Sequence, residues 1–128
     1  MKRIVIAVAL VVAAAVIFIV GRSLGAEPLR VSSTGARYAV TVVIDEPTTG
    51  RVSVEVLVTS GEPDSVAVST VMPGMGHSTP EVIARQAGPG RFVAEGELFP
   101  MSGAWEVPIR LDGPAGEEVL VVDALITG

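Results

Sequence analysis

The chain has 128 residues and no cysteine, which leaves room for one domain and excludes disulfides, thiolate metal sites, thioether-linked haem, lipid-modified cysteine anchors and cysteine nucleophiles. Beyond residue 22 six arginines face all fourteen acidic residues, a formal charge of −8. Nucleic acid is a poor partner for such a surface, because binding it depends on neutralising phosphates with Lys and Arg.

Taken in chain order, Lys2 and Arg3 come first, ahead of an unbroken apolar run from Ile4 to Val20. As a helix rising about 1.5 Å per residue the run would reach roughly 26 Å, close to the about 30 Å of a bilayer's hydrocarbon core. No polar stripe interrupts it and a basic pair precedes it, which separates it from a buried core helix. It reads as a signal anchor or a signal peptide over residues 1–22. Run length and Arg22 favour a retained anchor, and the small residues Ser23, Gly25 and Ala26 are those of a cleavage site. Both readings place the rest of the chain on the extracytoplasmic side, membrane-anchored in the first case and exported and soluble in the second. Residues 23–36, rich in Gly, Ser and Arg with Pro28, show no strand or helix period and read as a linker.

From residue 37 to 128 the pattern is that of strands. Tyr38, Val40, Val42 and Ile44 share one face, and Val52, Val54, Val56 and Val58 alternate with polar residues after a turn at Asp45 to Gly50. Val66, Val68, Thr70 and Met72 form a third strand, and further strands are expected at Glu81–Gln86, Arg91–Leu98, Trp105–Leu111 and Glu118–Ile126. Valine-rich runs favour strand over helix. About seven short strands separated by Gly/Pro turns predict an all-β domain, an immunoglobulin-like antiparallel β-sandwich, preceded by one N-terminal hydrophobic helix.

The chemistry is concentrated in two loop-like stretches, Met72-Pro73-Gly74-Met75-Gly76-His77 and Phe99-Pro100-Met101-Ser102-Gly103, which hold every methionine after the initiator and the only histidine. Thioethers are soft, neutral donors that select Cu(I), and imidazole binds both copper oxidation states. Met72, Met75, His77 and Met101 are therefore the candidate copper ligands. Met72 also continues the Val66/Val68/Thr70 face and doubles as a core residue. Met75, between glycines, belongs to no periodic face, and Gly74 and Gly76 supply the turn freedom that would aim Met75 and His77 at one point. Trp105 alternates with Val107, Ile109 and Leu111 as a core tryptophan, and its ring is a candidate cover for the metal. Glu95 and Glu97 share a strand face, an ordinary solvent-side pattern. No serine has a base other than His77, so no enzyme is expected.

The two methionine blocks, with Gly88-Pro89-Gly90-Arg91-Phe92 between them and Ala104-Trp105-Glu106-Val107 after the second, resemble the YtkA-like domain family, which is similar in turn to the soluble domain of FixH proteins. The resemblance spans Tyr38 to Leu125. It implies an immunoglobulin-like sandwich, exported or membrane-anchored, associated with copper handling and oxidase assembly, and it points to Met72, Met75, His77 and Met101. The function expected is a copper-binding protein that exchanges Cu(I) with a donor or recipient protein. The alternative is a metal-independent interaction or assembly module for a membrane complex such as a respiratory oxidase.

Overall fold

The computed structural model of the chain describes residues 27–127. The apolar run, and with it the expected N-terminal helix and segment 1–22, lies outside the described residues. Among the described residues no helix is long and apolar enough to cross a membrane, and the helical geometry there is one 3-10 turn over Pro73–Met75. The strands are β1 (Leu29–Thr34), β2 (Ala39–Ile44), β3 (Gly50–Ser60), β4 (Ser65–Val68), β5 (Val71–Met72), β6 (His77–Ser78), β7 (Val82–Ile83), β8 (Arg85–Gly88), β9 (Arg91–Phe99), β10 (Gly103–Gly113) and β11 (Gly116–Ile126).

They form two antiparallel sheets packed face to face. One has the order β1-β2-β3-β9-β8. In the other, β10 is central, with β11 along one side and β4 and β5 end to end along the other; β7 extends β4 and β6 extends β5. The chain crosses between sheets from β3 to β4, from β7 to β8 and from β9 to β10.

The core is the inward half of the period-two pattern. Tyr38, Val40, Val42, Ile44, Val54 and Val56 from one sheet meet Val66, Val68, Val107, Ile109, Leu111, Val122 and Ala124 from the other, all buried. Burying each aliphatic side chain of this kind contributes about 1.5–3 kcal/mol relative to leaving it in water. The remainder of each strand stays wet, and Glu95, at 3.2 Å from Arg85 and 3.9 Å from Arg51, is one of its surface ion-pair partners.

Three strand assignments are corrected. Leu29–Thr34, read from composition as part of a linker, is β1, paired in register from Leu29↔Ile44 to Thr34↔Ala39. Its Leu29 and Val31 pack against the core while Arg30, Ser32 and Thr34 are exposed, a half-buried edge too polar to show a clear period. The single strand expected at Glu81–Gln86 is two, β7 and β8, in different sheets, with buried Ala84 at the switch and its N–H donating to Val66 O at 2.8 Å. The strand expected to run from Val66 to Met72 is broken at Ser69–Thr70. The register of β10 with β4 and β5 sets Ser69 beside Pro108. Ser69 N–H donates to Pro108 O at 3.2 Å, but proline has no N–H to return, so the ladder lapses there.

At the end formed by the β10–β11 turn, Glu118 fastens the sheets together. Its carboxylate accepts from the N–H groups of Ala36, Arg37 and Tyr38 at 3.0, 3.1 and 3.0 Å. The Tyr38 hydroxyl donates to Gly116 O at 2.8 Å and Arg37 Nε to Ala115 O at 2.9 Å. Desolvation by burial works against the carboxylate's charge, yet the three backbone donors and the Arg37 charge outweigh it and hold its pKa below the ordinary value.

A carboxyl depressed in the folded state stabilises the fold above its unfolded value of about 4.3, and that contribution is lost as pH falls through the folded value. Glu118→Gln is therefore expected to melt lower than the parent at neutral pH, with the two Tm curves converging at acid pH. Curves that stay parallel would show that the Glu118 charge is not held by this turn.

Candidate metal site

The opposite end of the sandwich carries both methionine blocks. β5 and β6 form a hairpin in which Met72 stands directly opposite His77, so the two side chains leave the sheet on the same side. Continuing the Val71↔Glu106 register of β5 and β10 by one residue sets Met72 beside Trp105. A row Trp105, Met72, His77 thus crosses three neighbouring strands, passing from the core to solvent: Trp105 is 1 % exposed, Met72 is 7 % exposed, and His77 is exposed.

Trp105 anchors this row. Its indole stacks edge-to-face on Phe99, with centroids 5.8 Å apart and planes at 72°, and its Nε1–H donates to Met101 O at 2.9 Å. Aromatic pairs of this geometry contribute about 0.5–1.5 kcal/mol beyond burial. The bond fixes the backbone of the crossing from β9 to β10, and Met101, 37 % exposed, stands on that crossing. Gly103 completes the packing. A Cβ there would fall 2.8 Å from Met72 Cε, and its φ of +138° suits glycine. The residue after Ser102 must be small for the buried thioether to sit where it does.

The hairpin turn carries Met75 outward, 60 % exposed, at the end of the 3-10 turn that Pro73 begins and left-handed Gly76 (φ 66°) ends. Gly74 has no positive φ, so the expected turn freedom is used at Gly76 alone. The structure thus gathers Met72, His77, Met101 and Trp105 around one end of the sandwich, with Met75 on the turn of the same hairpin. Met72 and Trp105 are also core residues, and Met75, His77 and Met101 are the accessible donors.

Periodicity places Thr70 only as a member of a strand face. It is a fully buried polar residue whose hydroxyl donates to Leu98 O on β9 and shares a hydrogen bond with Thr79 Oγ1 at 2.7 Å. Thr70 N–H also donates to Thr79 Oγ1, and Thr79 N–H returns to Thr70 O at 2.9 Å. This network ties the break just before β5, which bears Met72, to β9, the strand leading toward Met101, across the sheets. A threonine on an inward valine face was the available signal, but its partners are set by pairing and cannot be read from spacing.

The donor set fits a soft metal. Among the described residues no three His, Cys, Asp or Glu side chains group to hold a metal ion, and the soft donors at this end are three thioethers with one imidazole. Neutral sulfur donors of this kind match Cu(I) and match Zn, Mg or Ca poorly.

Thr70→Val keeps the shape and removes the hydroxyl. It is expected to cost about 1–3 kcal/mol in urea denaturation, the scale of a buried acceptor left unpaired, and to speed amide exchange in β5 and β6. Thr70→Ser should recover most of the loss. Equal stability of the valine variant and the parent would show that the network does not hold the hairpin.

A crystal structure of an engineered protein from the Northeast Structural Genomics Consortium aligns with a TM-score of 0.51 at 19 % identity, over 70 % of this chain and 20 % of that one, a likeness of fold alone. No curated protein matches the chain. The family model described as YtkA-like matches residues 32–110, a span that contains both methionine blocks, Thr70 and Trp105. The chain belongs to the YtkA-like family.

Proposed function

We propose that this protein is an extracytoplasmic, membrane-anchored copper-handling protein that holds Cu(I) through Met75, His77 and Met101, with Met72 as a fourth, buried donor, and catalyses no reaction. The observation that carries the reading is the register of the β5–β6 hairpin, which pairs Met72 with His77 beside a tryptophan bonded to the backbone of Met101. Bound there, copper would be held by neutral ligands. Its exchange would proceed by replacing the exposed donors Met75 and Met101 one at a time with ligands of a partner. The indole of Trp105 would shield the buried side of the ion from water and oxidants.

We also read the sandwich as immunoglobulin-like. The support is that β3 pairs β9 in one sheet, β4 pairs β10 in the other, and the crossings β3 to β4 and β9 to β10 link the two pairs. On the expected resemblance to FixH soluble domains we extend the proposal to oxidase assembly, with an oxidase component as donor or recipient.

A metal-independent docking module is the second reading, favoured by the exposure of Met75 and Leu125 at the same end, since methionines suit adaptable contact surfaces.

The discriminating experiment is a Cu(I) titration of the full chain against a chromogenic chelator. Loss of two donors in Met75→Ala/His77→Ala, confirmed folded by circular dichroism, is expected to weaken binding by about 100-fold or more, beyond the scale of a lost outer contact. Equal affinity of the parent and this variant would contradict the copper reading and leave docking.

A further inference from the structure

The chain enters the domain at the same end that carries the methionine blocks. Leu29, the first residue of β1, lines a surface depression together with Pro73, Ala104, Trp105 and Leu125. Glu27 and Pro28 lie around a second depression with Leu29 and Leu125. Pro73 follows Met72 and opens the turn that bears Met75, and Trp105 holds the Met101 carbonyl. The far end, where Gly113 pairs with Gly116 and Thr34 with Ala39, is a full strand length away, about 35 Å for eleven residues.

Because β1 begins at Leu29, little chain stands between the apolar run and the domain. Eight residues, Gly21 to Pro28, separate the apolar run from Leu29. Nine Cα steps span at most about 32 Å even fully extended, no more than the length of the sandwich. The domain's net charge of −8, with Glu106 and Asp123 beside Trp105 in the depression against the single cation Arg30 in the adjoining one, disfavours docking of this end on anionic headgroups.

We infer that the Met75/His77/Met101 end is the membrane-facing end of the domain, and that the partner it fits is an integral membrane protein whose metal-exchange site opens at the outer surface, within reach of the tether. The inference rests on the anchored, metal-handling reading above. It narrows that reading, because a freely diffusing carrier would have to enter the gap between domain and membrane, whereas a neighbour in the same bilayer meets Met75 and Met101 directly.

The absence of cysteine makes single-site labelling clean. Ser102→Cys, at the methionine end, and Ala115→Cys, at the far end, would each carry a donor dye on the full chain. The chain is reconstituted into phosphatidylcholine/phosphatidylglycerol vesicles containing an acceptor-labelled lipid headgroup, and flotation reports anchoring separately. A sandwich about 35 Å long makes energy transfer from Ser102 at least about twofold that from Ala115. Inserting about 20 Gly/Ser residues between Gly25 and Ala26 should erase the difference.

Equal or reversed transfer in a chain that floats overturns the orientation and leaves the copper reading, tested by titration, untouched. A difference that survives the long tether overturns it in favour of direct lipid docking. A chain that does not float overturns the anchor and this inference with it.

Discussion

The indole of Trp105 has one hydrogen-bond donor, and it is used on the carbonyl of Met101 four residues earlier. An unpaired N–H in this dry position would cost about 1–3 kcal/mol, so the crossing between β9 and β10 must bring that carbonyl to the ring. Much at this end follows from that constraint. Met101 is held at the rim, Gly103 must leave space for the Met72 methyl, and Phe99 must present its ring to the indole at the observed angle. The Thr70 hydroxyl adds a second tie, from the break just before β5 to Leu98 just before the crossing. Two hydrogen bonds therefore hold together the segments that bear the donors, and one of them belongs to a residue with no metal chemistry of its own.

This end combines a rigid base with accessible donors. Met72 and Trp105 belong to the packed core, whereas Met75 sits on a turn with two glycines around it. Local opening costs least where few apolar contacts hold the backbone, so the hairpin turn is where ligands can come and go while the base stays fixed. The opposite end is built differently: Glu118, Tyr38 and Arg37 lock the turns there with charge-assisted and hydroxyl bonds. Its carboxylate is consumed by backbone donors.

Alternation made β2, β3, β10 and β11 legible from residue order alone, because each has one face in the core and the period of two is visible over six or more residues. β1 was not legible: as an edge strand with Leu29 and Val31 as its only large apolar residues, it looks like linker composition. The two-residue strands β6 and β7 are too short to have a period, and the sheet switch at Ala84 leaves no mark on spacing. The break at Ser69–Thr70 had a signal in Pro108, but it lies about forty residues away and gains meaning only once β10 is known to pair with β4 and β5. For the site, segregation of methionines and the histidine was enough to nominate residues. The Met72–His77 pairing and the Thr70 network depend on register, which one sequence does not display.

The central claim is that a neutral sulfur-rich set at this end binds Cu(I), and X-ray absorption at the copper edge of the Cu(I)-loaded full chain tests it most directly. The account predicts a first coordination shell dominated by thioether sulfur with one imidazole nitrogen, and loss of the nitrogen contribution in His77→Ala. A shell of nitrogen and oxygen donors only, unchanged by substitution of Met75, His77 or Met101, would contradict it.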